Sequence, residues 1–260
     1  IGFRGILEMI YQISEGMFVT EADFETRIRN ANEMLCYCDG NSKENWPYAS
    51  LEYLASQTLV CVIFEAYRNS YVDLAIDAYN LLSSRQKCLS NIKPMQLSLV
   101  YELIGVIWLK HNLDYGLSYL SLATKYDSKN YSAFYFLALL NFHEKHDYVQ
   151  ALTYANQCFA YLPEDASKNI VRDVITIQYF CYAMQKDYLK AREIISNIDK
   201  ELKQPTIVGN KAYLDFKCKD YINAERLALT ALKMDPEVGA ALNTMGMVLL
   251  HKGQYAHAVK

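Results

Sequence analysis

The sequence predicts an all-α fold, a right-handed α-solenoid of stacked antiparallel helix pairs, and three observations carry that expectation. A turn residue followed by tyrosine recurs as Asp114-Tyr115, Asp147-Tyr148, Asp187-Tyr188, Asp220-Tyr221 and Gln254-Tyr255, with tyrosine steps of 33, 40, 33 and 34 residues. Each tyrosine is followed three positions later by a small residue, Ser118, Ala151, Ala191, Ala224 or Ala258, which puts the two on one helix face. Finally, 22 Tyr stand beside only 10 Gly and 5 Pro. A strand-rich sandwich or barrel would need a turn former roughly every 8–12 residues.

Taken in order, residues 3–14 and 21–37 read as the first helix pair, with Thr20-Glu21-Ala22-Asp23 as an acidic variant of a capping box at the second helix. Residues 48–68 and 71–87 form the next pair, where Ala75, Ile76, Tyr79 and Leu82 fall at helical spacing. Around 95–130 the units are shorter or slipped, and Gly105 and Gly116 are the expected small contacts. From 131 onward each unit is a helix, a turn capped by Asp and a second helix. Ala231 and Cys158 are small again further along the second helices. Leu162-Pro163 and Asp235-Pro236 end them, because the proline ring excludes its predecessor from the α region, and each proline is expected to open the next helix in its first turn. Small residues on both helices allow the pair to approach closely, and the aromatic fills the space beside the contact.

The run Leu242-x2-Met245-Gly246-x2-Leu249-x3-Gly253-x-Tyr255-x2-Ala258 resembles the tetratricopeptide repeat (TPR), as do residues 212–236 with Tyr221, Ala224, Ala231 and Pro236 in register. The resemblance covers residues 131–260, with the last repeat truncated, and is looser over 1–130. It implies one continuous TPR-like superhelix whose concave groove is lined by the first helix of each pair. Carrying the family's groove positions onto this sequence gives Gly209, Tyr213, Phe216 and Lys217 in one unit and Asn243 and Met247 in the next. Phe180 and Met184 come from the unit before, and Phe136 and Leu140 from the one before that. Asn210, Lys217 and Asn243 do not assemble the two-carboxylate clamp of the family's chaperone-tail binders. The lining instead suits a protein or peptide segment with apolar anchors. A slip of one position turns a helix face by about 100° and would place Leu140, Phe180 and Phe216 in the core. Tyrosines outside the turn position, among them Tyr135, Tyr179 and Tyr213, are expected to enrich a recognition surface.

Chemistry is poorly represented. The sequence has no Gly-rich phosphate loop, G-x-S-x-G elbow or H-E-x-x-H motif, so no enzyme, no catalytic residue and no cofactor is expected. His143-Glu144-Lys145-His146-Asp147 gathers metal-ligating side chains, but the repeat puts it in an inter-helix turn and no third ligand accompanies it at fixed spacing. Cys36-x-Cys38 lacks a second Cys or His pair and reads as two half-buried helix cysteines. A formal charge of −3 argues against nucleic acid as a partner. The longest uncharged apolar stretch, residues 134–140, is too short to span a bilayer. Seven scattered cysteines and no leader-like N-terminus predict an intracellular, cytoplasmic protein without membrane contact. The start at Ile1 and the stop at Lys260 in mid-pattern predict a segment of a longer protein, with self-association through exposed solenoid ends. The function expected is a non-enzymatic scaffold or adaptor. The alternative is a sensor or regulatory module of a longer regulator, such as a transcriptional regulator or secretion-system component.

Overall fold

The computed structural model describes residues 20–40, 46–199 and 204–254. Among them the chain forms thirteen helices and no strand, and none of these helices is long and apolar enough to cross a membrane. The chain divides into two compact units between Ser128 and Lys129. The expected helix over 3–14, together with Tyr255 and Ala258, lies outside the described residues.

The first unit contains α1 (Glu21–Gly40), α2 (Trp46–Arg68), α3 (Val72–Ser83), α4 (Gln86–Ser90), α5 (Pro94–Leu109) and α6 (Leu113–Tyr126). At the start of α1 the Asp23 carboxylate accepts hydrogen bonds from both the N–H and the hydroxyl of Thr20, each at 2.8 Å. This is half of a capping box, because the hydroxyl donates to the carboxylate instead of accepting from the helix. Phe24, Leu35, Leu59, Ile63 and Leu82 fill the α1–α3 core. The helix expected over 71–87 is broken. Arg85 is extended (φ −129°, ψ 113°), and its guanidinium donates to the Leu35 carbonyl of α1 at 3.2 Å. Gly105 and Gly116 do form the α5–α6 contact. A Cβ at Gly105 would lie 3.2 Å from the Gly116 carbonyl oxygen, and one at Gly116 would lie 3.1 Å from that of Gly105.

The α5–α6 turn also departs from the expected register. Asn112, not Asp114, caps α6, accepting from the N–H groups of Asp114 and Tyr115 at 3.0 and 3.1 Å. Gly116 is therefore the buried small residue, while Ser118 faces solvent and bonds back to the Asp114 carbonyl.

The second unit contains α7 (Tyr131–His143), α8 (Tyr148–Tyr161), α9 (Lys168–Met184), α10 (Tyr188–Asp199), α11 (Pro205–Lys217), α12 (Tyr221–Met234) and α13 (Gly239–His251). Ala151, Ala191, Ala224, Ala231 and Cys158 are fully buried where second helices meet their neighbours. Pro163 and Pro236 stop α8 and α12 but do not open the next helices, which begin at Lys168 and Gly239 after short connections. The helix-opening prolines are Pro94 and Pro205, in the first turns of α5 and α11, where a missing N–H costs nothing. The 40-residue step between Tyr148 and Tyr188 reflects the connection after Pro163 and the 17 residues of α9.

One turn geometry recurs in both units. The second residue before the next helix is left-handed at Ser70 (φ 69°), His146 (54°), Lys186 (65°) and Lys219 (66°), and Gly253 after α13 is left-handed too (74°). After it the chain folds back, and the following N–H bonds to the carbonyl five residues earlier: Tyr71 to Ala66, Asp187 to Tyr182, Asp220 to Asp215 and Gln254 to Leu249, at 2.8–2.9 Å. The α7–α8 turn is one residue longer, with Asp147 N–H bonded to the Asn141 carbonyl at 2.9 Å. These are Schellman closures that satisfy orphan carbonyls of the first helix. Asp147, Asp187 and Asp220 then cap the second helix, accepting from the N–H groups of Gln150, Lys190 and Asn223.

Arg192 of α10 ties two hairpins together. Its Nε approaches Asp215 Oδ1 of α11 to 2.5 Å as an ion pair without hydrogen-bond alignment, and its Nη2 donates to Asp220 Oδ2 at 2.7 Å. Burial pushes the Asp215 carboxyl upward although Arg192 opposes the shift, whereas hydrogen bonds from Asn223 hold Asp220 low.

Three stability measurements check this account. Gly116→Ala should destabilise by about 1–2 kcal/mol through overpacking at the α5–α6 contact, while Gly239→Ala, whose Cβ meets nothing within 4 Å, should be neutral or slightly stabilising in urea unfolding. Lys219→Gly should raise the melting temperature by relieving a left-handed residue worth about 1 kcal/mol, and Lys219→Val should lower it. Arg192→Ala should cost about 2–3 kcal/mol, below the range of a fully buried pair because the arginine is 34% exposed, and adding Asp215→Leu should recover part of that loss.

Candidate functional site

Within the second unit the first helices α7, α9, α11 and α13 are joined in sequence by three different contacts. The Tyr135 hydroxyl of α7 donates to Asp173 Oδ2 of α9 at 3.1 Å, and Arg172 holds the other oxygen of that carboxylate at 3.0 Å. Burial, then the bond to Asp173, pushes the Tyr135 hydroxyl up to about 12. Between α9 and α11, the Asn210 amide donates to the Tyr179 hydroxyl at 2.9 Å. Between α11 and α13, Gly209 is buried so closely that a Cβ would meet Val238 Cγ1 at 2.8 Å and the Ala241 backbone nitrogen at 3.1 Å. Gly209 is thus a helix contact and not an open lining position, because its missing side chain is what lets the two helices meet.

The predicted lining residues divide by what they touch. Phe136, Leu140 and Met247 are half-buried. Phe180 is half-buried too. Its ring stacks on Tyr179 at 4.7 Å, lies 6.0 Å from Phe142 of α7 and packs on the edge of the core made by Ile175, Ile195, Ile207 and Leu214. Tyr213 packs on the same core, and Phe216 sits 5.2 Å from Tyr221. Met184, Lys217 and Asn243 are exposed. The Lys217 ammonium lies 5.3 Å from the Tyr213 ring and 5.7 Å from the Tyr188 ring, so its stem is braced by two aromatics while its charge stays in water. Asn210 has its amide committed to Tyr179.

Tyr179 itself is core, 3% exposed, and burial pushes its hydroxyl up to about 12. Sequence reasoning left it among possible surface tyrosines. Its bond to Asn210, and that of Gln178 to Asn156 at 2.8 Å, link residues with no local signal.

The His143–Asp147 segment forms the α7–α8 turn. His143 lies edge-on to Phe142 at 4.9 Å, His146 is the left-handed tip and Asp147 caps α8. Among the described residues no group of three or more His, Cys, Asp or Glu is placed to hold a metal ion. Cys36 is exposed and Cys38 buried, so the two are not the half-buried pair expected; two residues apart on α1, they point to opposite sides. Burial pushes the Cys158 and Cys181 thiols up to about 12, which keeps them protonated.

The first unit carries two further features. Tyr79, Tyr101, Tyr119 and Tyr126 form a contiguous ladder with ring separations of 5.3–6.4 Å, and burial raises the Tyr101 hydroxyl to about 12. An open cleft of about 350 Å³ lies between α1 and α3, lined by Glu25, Ile28, Arg29, Leu74, Asp77 and Leu81 among others.

No family model and no curated protein sequence matches the chain. Solved structures do. A fragment of MamA (41-end) from Desulfovibrio magneticus RS-1 is 13% identical with a TM-score of 0.53, over 62% of this chain and 89% of that one. The apo form of RapI is 16% identical with a TM-score of 0.53, over 92% of this chain and 72% of that one. At this identity the likeness concerns the fold alone, and that fold is the helical-hairpin array of the tetratricopeptide type.

Proposed function

We propose that the chain is a protein-interaction scaffold whose second unit holds a peptide segment along α7, α9, α11 and α13. The observation that carries this reading is the state of the lining. Phe136, Leu140, Phe180, Tyr213, Phe216 and Met247 are each half-buried, Phe180 and Tyr213 at the edge of the core, and Met184, Lys217 and Asn243 on the same helices are exposed. Aromatic and Met side chains held by packing lose little freedom on binding and offer apolar area to a partner's anchors. Lys217, braced by Tyr188 and Tyr213, adds one cation for an acidic residue of the partner. Asn210 serves the site by fixing α11 on α9. A non-enzymatic adaptor role, with a partner rich in apolar anchors and without nucleic acid, follows from the same lining and from the absence of catalytic motifs in the sequence.

The test uses residues whose loss leaves the core intact. In a peptide-display screen, the chain should enrich segments with two or more aromatic or aliphatic anchors and an acidic residue. Met184→Glu with Lys217→Glu should weaken the best peptide by roughly tenfold or more while the helical circular dichroism is unchanged. Enrichment without such anchors, or binding indifferent to the double substitution, would remove the groove from consideration.

A further inference from the structure

The tyrosine ladder of the first unit lies apart from the proposed groove and joins three helices. Tyr79 comes from α3, Tyr101 from α5, and Tyr119 and Tyr126 from one face of α6, two helical turns apart. Tyr79 and Tyr101 are each 6% exposed, Tyr119 is half-buried and Tyr126 is 40% exposed, so the ladder runs from the core to solvent. Among the described residues, every ring contact between two tyrosines falls within it.

Packing alone would be served as well by phenylalanine. Here the hydroxyls are gathered too. After burial, the Tyr119 hydroxyl is what raises that of Tyr79, and the Tyr126 hydroxyl is what raises that of Tyr101, through hydrogen bonding and charge repulsion. Hydroxyls brought together in this way make near neighbours of the ring carbons beside them. Tyr101 and Tyr126 are the closest pair, with ring centres 5.3 Å apart.

We propose that Tyr101 and Tyr126 are a site of oxidative cross-linking, joined as dityrosine by a peroxide-driven one-electron oxidant such as a haem peroxidase. Tyr126 meets the oxidant, losing one electron to it and its phenolic proton to water. An electron and a proton then pass from Tyr101 to Tyr126, which leaves the radical on Tyr101 and lets Tyr126 be oxidised a second time. The two radicals pair at ring carbons ortho to their hydroxyls and form one carbon–carbon bond. The hydrogen on each joined carbon leaves as a proton and a proton returns to each oxygen, restoring both phenols. In all, two electrons and two protons have left the pair, and they reduce one hydrogen peroxide to two waters.

Proximity decides the product. Coupling between molecules needs two short-lived radicals to meet, whereas two rings held side by side react as one unit. Tyr115 on the same helix is more exposed, at 59%, but its ring neighbour is Trp108 at 5.7 Å, so a radical there has no tyrosine beside it to couple with. The new bond closes the chain from residue 101 to residue 126 and restricts the unfolded state as a disulfide does.

Peroxidase treatment of the dilute 260-residue chain tests the idea. With hydrogen peroxide present, dityrosine fluorescence should appear in the single-chain band of a denaturing gel. Tandem mass spectrometry of that band should find the peptides of residues 101 and 126 joined with the loss of two hydrogens. Tyr126→Phe, which removes only a hydroxyl from an exposed ring, should lower the fluorescence roughly tenfold or more, while Tyr115→Phe leaves it unchanged and helical circular dichroism is the same in both. Fluorescence that survives Tyr126→Phe, dityrosine confined to cross-linked dimers, or joined peptides from other tyrosines overturns the proposal. So does the absence of dityrosine under conditions that couple free tyrosine.

Discussion

The structure depends on the closure between the two helices of each hairpin. A helix ends with orphan carbonyls, and at the ends of α2, α7, α9 and α11 those are met by a chain that reverses through one left-handed residue and starts the next helix, under an Asp cap at α8, α10 and α12. That reversal fixes which faces of the two helices meet. Once they do, only small residues fit at the crossing, which is why Ala151, Ala191 and Ala224 are fully buried. The neighbouring hairpin then stacks on a surface whose shape is already set.

Much of this was legible because it is periodic. The Asp-Tyr pairs placed the starts of α8, α10 and α12, and the alanines three residues on identified the buried face. The register failed where a different residue took over the cap. Asn112 starts α6 two residues before the Asp-Tyr signature, so Gly116 and not Ser118 became the contact. The left-handed tips had no signal, since lysine, histidine and serine do not advertise φ above zero as glycine does. The break at Arg85 was hidden for a related reason. The residue leaves the helix near the Leu35 carbonyl of α1 fifty positions away, a tertiary contact that local pattern does not contain.

The candidate groove was readable only in outline. Helical spacing put Phe136, Leu140, Phe180, Tyr213 and Phe216 on first helices, but their half-buried state depends on how neighbouring helices lie against them. The devices that set those positions are the least visible in sequence. Tyr135 with Asp173, Asn210 with Tyr179, and the Gly209 contact with Val238 each join side chains or backbone about 30 or more residues apart. Polar pairs of this kind have defined directions and allow fewer arrangements than apolar packing, so they fix helix position where hydrophobic contact alone would tolerate sliding.

The tips carry one more consequence. Because backbone hydrogen bonds close each turn, the side chain at the left-handed position plays little part in holding it, and Ser70, His146, Lys186, Lys219 and Gly253 all occupy equivalent places. The α2–α3, α7–α8, α9–α10 and α11–α12 hairpins therefore each have an address at which identity can change while the backbone closure does not. Over evolutionary time such a position can be rewritten one hairpin at a time, and in the laboratory it marks where a fluorophore or cross-linker can be attached at known spacing.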